Sequence, residues 1–269
     1  MFANARMYSV NATTAAAWRT LLEWVVARAG VACDVVDYPA PQPLPDLWSR
    51  ADMGCAFMCG YPFALANPRP TLLAAPVPDV PRCGGEPIYW TDIVVRADSP
   101  LTSLADVLHR RFAWTTRDSQ SGYQAPRALF APFAPFARGA PLFAATVGPL
   151  VTPRRVVEAI VAGDADAGPL DSYAHRLLAI TEPGLVAPLR VIAATEPTSI
   201  PPMVAGSAIA AADATRLTEA LLAVHESAYL APVRATLGLE RFARVPVARY
   251  DELCERARAA DATGYVALD

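Results

Sequence analysis

The chain has no lysine. All 23 of its basic residues are arginine, a base-composition bias with no functional meaning. They are scattered, and the formal net charge is −3, so no basic stripe marks a nucleic-acid partner. Histidine is scarce, at three residues. None of them stands in HExxH or another metal or triad spacing, and the chain contains no P-loop and no GxSxG elbow. Cysteine is odd in number, at five, without paired CxxC spacing. Cys55 and Cys59 sit four apart in MGCAFMCGYP, which reads as buried apolar thiols and not a metal or redox site. No stretch reaches the roughly 18 apolar residues of a membrane span; VVEAIVAGDADAG is cut short by charge and glycine, so no membrane insertion is expected. MFANARMYSV lacks a basic region followed by an apolar core. Read as it stands, the chain is expected inside the cell with its thiols reduced, and in the periplasm if a signal has been removed.

What is present is a 269-residue, 54% hydrophobic chain, enough for two units of about 100–150 residues. MYSV starts as a strand. Thr13 or Thr14 caps a helix with Trp18, Leu21, Leu22, Val25 and Ala29 on one face, ended by Gly30. VACDVVDY, residues 55–58 and LLAAPV follow as strands around the Pro-rich loop PAPQPLPDLWSR. IYWTDIVVRADSP is extended, and Ser103 with Asp106 forms a capping box. FAWTT is a strand, TPRRVVEAIVAG a helix with Thr152 as cap and Pro153 in its first turn, and DADAGPLD a strand before another helix. Asp213 and Asp251 cap two closing helices. The pattern predicts an α/β protein with two lobes, residues 1–92 plus 200–269 and residues 93–199. Each lobe would carry a sheet flanked by helices. Extended crossovers near 91–97 and 191–203 would form a two-stranded hinge, with a ligand cleft between the lobes.

The segment TTRDSQSGYQAP places two serines and a glycine between a strand and a helix. Unpaired amides and the positive end of the helix dipole favour an anion there. Pro126 must lie in the first turn, so regular helix starts near Gly122 or Tyr123, and Ser119, Gln120 and Ser121 line the turn before it. Their amides and hydroxyls can converge on one acceptor, and Gly122 permits close approach. The plainer alternative is that one serine is an ordinary helix cap.

GEPIYWTDIVVRADSP and the S-x-S-G-Y loop, with GYP, GDADAGPLD and IPPMVAGSAI in order, resemble the PhnD-like phosphate, phosphite and phosphonate substrate-binding proteins of ABC transporters. The resemblance implies a type 2 periplasmic-binding-protein fold that captures a small oxyanion without chemistry, with no cofactor and an ABC permease as partner. It implies that Ser119, Gln120 and Ser121, with Gly122 and Tyr123, grip the anion. It also implies that Tyr61 and Tyr89 line the cleft and that Asp171 faces the ligand's other end. By their residues alone, Tyr61 and Tyr89 are equally core aromatics, and Asp171 equally a helix cap. The chain departs from the family where a T-G-x-H precedes the VVEAIVAG helix. ATVGPLVTPRR has no histidine, leaving Thr152 as the nearby hydroxyl. Two other readings share the fold: an intracellular sensor or carrier, and a thiamine-pyrimidine-synthase-like enzyme, whose cysteine cluster and histidine have no counterpart here.

Overall fold

The computed structural model describes residues 1–137 and 139–268. They form two compact units. The first is Met1–Ile88 with Ser199–Tyr250, the second Tyr89–Thr198 with the chain from Asp251 onward. The expectation that everything after residue 200 belongs with the first unit therefore fails at Asp251. The closing helix Asp251–Ala262 buries Leu253, Ala257 and Ala260, and Ala260, Tyr265 and Leu268 join the second unit's core. The expected crossovers also shift. Thr91–Arg96 and Leu189–Ala194 are antiparallel neighbours inside the second unit's sheet. The chain changes unit at 88–89 and 198–199, where Ile88–Tyr89 and Thr198–Ser199 pair as two short strands, and again at 250–251.

The first unit is built on a six-stranded sheet in the order Leu239–Ala243, Thr71–Pro78, Met203–Ala205, Met53–Phe57, Phe2–Asn4, Asp34–Val35. The last three are parallel, and Met203–Ala205 runs against both neighbours. Only Asp34 and Val35 of VACDVVDY hold strand geometry. The helix Ala12–Ala29 starts earlier than its threonines suggest. Asn11 is the cap, and its side chain accepts from the Thr14 amide while Thr14 Oγ1 accepts from the Asn11 amide. Its apolar face drives Trp18 edge-on against Phe57, ring centres 5.0 Å apart, an arrangement that suits the ring quadrupoles. The helix Ala211–Leu222 likewise begins before Asp213, with Ala210 at the cap position.

The second unit has a five-stranded sheet, Leu189–Ala194, Thr91–Arg96, Ala167–Asp171, Arg111–Ala113, Ala145–Val147. The last three are parallel and the first two pairings antiparallel. Phe112 stacks on Phe143 at 4.6 Å and meets Phe130 edge-on at 5.3 Å, fixing strand Arg111–Ala113, the middle one of the parallel three, to the helix Ala125–Phe130. The helix Pro153–Ala162 has its expected Thr152 cap and proline start, and stops at Gly163 with φ of 81°, a left-handed geometry natural for glycine. Three parallel strands thus deliver their carboxyl ends, at Ala113, Val147 and Asp171, to one edge. Among the described residues no helix is long and apolar enough to cross a membrane.

Candidate functional site

The edge of the second unit where the parallel strands end gathers most of the sequence-predicted residues. Strand Arg111–Ala113 runs through Trp114–Thr116 into a tight turn, and Ser119 opens a wide helical turn, Gln120–Gln124, which passes directly into helix Ala125–Phe130. The turn closes by hydrogen bonds spanning five residues, Gln124 N to Ser119 O at 3.0 Å and Ala125 N to Gln120 O. Helical geometry therefore begins at Gln120, two residues earlier than Pro126 suggests. A five-residue span leaves the earlier amides without a partner inside the turn. That of Gly122 goes to Ser119 Oγ at 3.0 Å, and those of Ser121 and Tyr123 have no carbonyl within it. Ser119 is thus a helix cap whose hydroxyl serves its own turn.

Gly122 is required by crowding. A Cβ there would collide with the Thr115 hydroxyl and methyl, and Gly122 O accepts from Thr115 N at 3.2 Å. Thr115 was not singled out in the sequence. It is 3% exposed and its hydroxyl has no hydrogen-bond partner, an expensive state for a buried polar group. The signal was its place directly after a buried strand. The segment before the helix Pro153–Ala162 runs beside it. Leu150 N bonds Trp114 O at 3.0 Å and Val151 N bonds Thr115 O at 3.2 Å, which brings Thr152 next to this corner. Val151 holds φ of 70°, a costly conformation for a β-branched residue.

Ser121 is committed elsewhere than expected. Its hydroxyl donates to Asp171 Oδ2 at 3.2 Å, and its carbonyl accepts from Thr91 Oγ1 at 3.1 Å, leaving its main-chain amide as the group to offer an anion. Asp171 is both a cap and a partner of the loop: Oδ1 accepts from Tyr173 N and Ala174 N at 2.9 and 3.0 Å. Burial pushes its carboxyl up to about 6, against the pull of those three hydrogen bonds, and Asp92 nearby adds to the rise. Asp92, in turn, accepts from Trp90 Nε1 at 2.8 Å and faces His175 Nδ1 at 2.9 Å. Sequence reasoning passed over this pair, because the two residues lie 83 positions apart.

The remaining candidates separate. Tyr123 turns its ring into the second unit's core, and its hydroxyl accepts from Arg117 and from the Leu268 amide at 3.2 and 3.1 Å. Its side chain supports the loop from behind. The Gln120 side chain lines a cavity of about 180 Å3 with Gln124, Thr195, Leu253 and Arg256. Tyr89 is 1% exposed. Tyr61 lies half-buried in helix Gly60–Leu65 of the first unit. His109 leaves the helical turn Leu104–Val107 with φ of 62° and is no helix residue. Burial raises the Cys55 thiol to about 12 and the Cys83 thiol to about 11, away from thiolate reactivity. Among the described residues no group of three or more His, Cys, Asp or Glu could hold a metal ion.

Residues 10–250 match the family described as ABC transporter, phosphonate, periplasmic substrate-binding protein. The chain belongs to that family. No curated protein sequence matches, but solved structures do. A binding protein component of an ABC phosphonate transporter from Pseudomonas aeruginosa superposes with a TM-score of 0.83 at 18% identity, over 98% of this chain and 87% of that one. A PhnD protein from Prochlorococcus marinus in complex with methylphosphonate gives 0.79 at 15%, over 97% and 98%. A Xanthomonas citri protein bound to ATP gives 0.64 at 17%, over 98% of both chains. The fold of this phosphonate-binding family member is that of the two-lobe periplasmic binding proteins, as its sequence suggested.

Proposed function

We propose that the loop Ser119–Gly122 of this phosphonate-binding family member captures the oxyanion end of a small phosphonate, phosphate, phosphite or phosphate ester, without chemistry on it, for an ABC permease. The observation that carries the reading is the wide turn at Gln120–Gln124. It holds the Ser121 and Tyr123 amides at the carboxyl end of a parallel strand, beside the unpartnered Thr115 hydroxyl. Neutral donors fixed in a buried corner suit an anion because they need no reorganisation when it arrives. Thr152, the cap of helix Pro153–Ala162 next to this corner, offers a further hydroxyl in the stretch where the family's histidine is missing. The methylphosphonate bound by the Prochlorococcus protein supports phosphonates as ligand, and the ATP bound by the Xanthomonas protein supports phosphate esters as the next class to try. The buried Asp171 beside the loop favours a zwitterionic ligand, such as an aminoalkylphosphonate, over a bare anion, since an anion facing a carboxylate is costly unless a cation accompanies it. The family's description as periplasmic supports action outside the cytoplasmic membrane.

Calorimetry with methylphosphonate, aminoethylphosphonate, phosphate, phosphite, sulfate and ATP tests this. At least one phosphorus oxyanion should bind one to one, and Gly122→Ala should weaken it by about tenfold or more, a loss of about 1.4 kcal/mol, by forcing the turn off Thr115. Binding that survives Gly122→Ala unchanged, or an absence of binding across the panel, rejects the loop as the anion site.

A further inference from the structure

The loop is held from behind by a buried arginine. Arg127 is 3% exposed, and hydrogen bonds fix both edges of its guanidinium. Its NH1 donates to Asp261 Oδ1 at 2.6 Å and Tyr265 O at 2.9 Å, and its NH2 to Ala257 O at 3.0 Å. All three partners are far away in sequence, in or just after the closing helix. The other edge of the same guanidinium donates from Nε and NH2 to Gln124 Oε1, at 3.2 and 3.0 Å. Gln124 has a second end, since its Nε2 donates to Arg117 O at 2.8 Å, and its own amide closes the wide turn on Ser119 O.

The orientation of that amide is forced. A guanidinium offers only donors and must meet the oxygen of Gln124, while the Arg117 carbonyl offers only an acceptor and must meet the nitrogen. Glutamine is the one common side chain of that length with a donor and an acceptor to satisfy both. We propose that Arg127 is a positioning residue for the anion loop. It acts through Gln124 to fix the main chain at Arg117 and Ser119, and is itself anchored by the carbonyls of the closing segment. This rests on the loop being the anion site. It also gives that segment, remote from the loop in sequence, a part in the geometry of binding.

Two variants cut the tie at different points. Gln124→Glu keeps an acceptor for Arg127 but turns a second acceptor toward the Arg117 carbonyl. Arg127→Lys keeps the charge beside Asp261 but loses the planar fork on Gln124. Val107→Ala, a cavity in the second unit's core at a residue that makes none of these hydrogen bonds, controls for general loss of stability. Hydrogen exchange at the Ser119, Gly122 and Gln124 amides, whose hydrogen bonds hold the turn, should accelerate by about tenfold or more in Gln124→Glu and Arg127→Lys, because the loop then opens locally. The dissociation constant for methylphosphonate should rise by a similar factor of about ten. Val107→Ala should lower the melting temperature and move neither reading. Unchanged loop exchange in Gln124→Glu, or equal acceleration in Val107→Ala, overturns the proposal. The exchange result needs no ligand, so it decides this role even if wild type proves not to bind methylphosphonate. That failure would fall on the proposed function alone. Should Arg127→Lys not fold, Gln124→Glu decides it.

Discussion

At the scale of single residues, Asp171 is the group whose chemistry and stability are most tightly joined. Its carboxyl is pushed up to about 6 by burial, above the value near 3.9 of an unfolded chain. The folded state therefore prefers it protonated. The stability it contributes is fully present below the unfolded value and is lost as pH rises through about 6. Asp166, whose carboxyl is held low first by its hydrogen bond to Arg111, works the other way, and its share is lost only as pH falls below the usual carboxylate range. In wild type, urea unfolding between about pH 4.5 and 7.5 should show Asp171's contribution fading by on the order of 1–3 kcal/mol toward neutral pH. Asp171→Asn keeps a capping side chain and should flatten that slope; a slope that persists in the Asp171→Asn variant would place its origin in another group. The same variant tests ligand charge. Wild type should favour aminoethylphosphonate over ethylphosphonate, and Asp171→Asn should erase the preference. A wild-type ratio near one removes the amine from the reading while leaving the loop in place.

At the scale of elements, the sequence was most legible where the signal is local. The strand–turn–helix around DSQSG, the Ser103–Asp106 box and the Thr152–Pro153 start all depend on residues within a few positions, and the structure has them. Helix starts went astray where two capping candidates compete, as at Asn11 against Thr13 and Thr14. Asn11 wins because only it lets the Thr14 side chain return the bond to the cap's own amide, a reciprocal pair that a lone threonine cap lacks. Asn11→Ala should cost about 1 kcal/mol in a denaturant titration, whereas Thr13→Ala, exposed in the first turn, should cost under about 0.5 kcal/mol. Equal losses would return the cap to the threonines. The commitment of Ser121 to Asp171 and the Asp92–His175 pair were not legible. Sheet order decides which strand ends become neighbours, and neither propensity nor periodicity encodes that order.

At the scale of the whole molecule, the chain changes unit three times, and the third passage was invisible in the sequence because an amphipathic closing helix packs equally well on any apolar surface. Beyond its apolar contacts, one buried charge ties it to the second unit. Arg127 is buried among partners supplied by residues 257, 261 and 265, and Leu268 supplies the amide on Tyr123. Removing the chain after Tyr250 strips the guanidinium of those partners, leaving only Gln124. A buried charge without its partners costs several kcal/mol, a large fraction of the roughly 5–15 kcal/mol that holds a domain together. The truncation also removes Ala260, Tyr265 and Leu268 from the second unit's core. It removes no residue of the first unit. Calorimetric unfolding of the truncated chain should lose the second unit's share of the transition while the first unit's share remains, and the protein should no longer bind methylphosphonate. Adding Arg127→Met to the truncation should restore part of the lost stability, since the uncompensated charge goes with it. A truncated chain that melts as wild type does would show that the closing helix is dispensable, and that Arg127 finds its partners elsewhere.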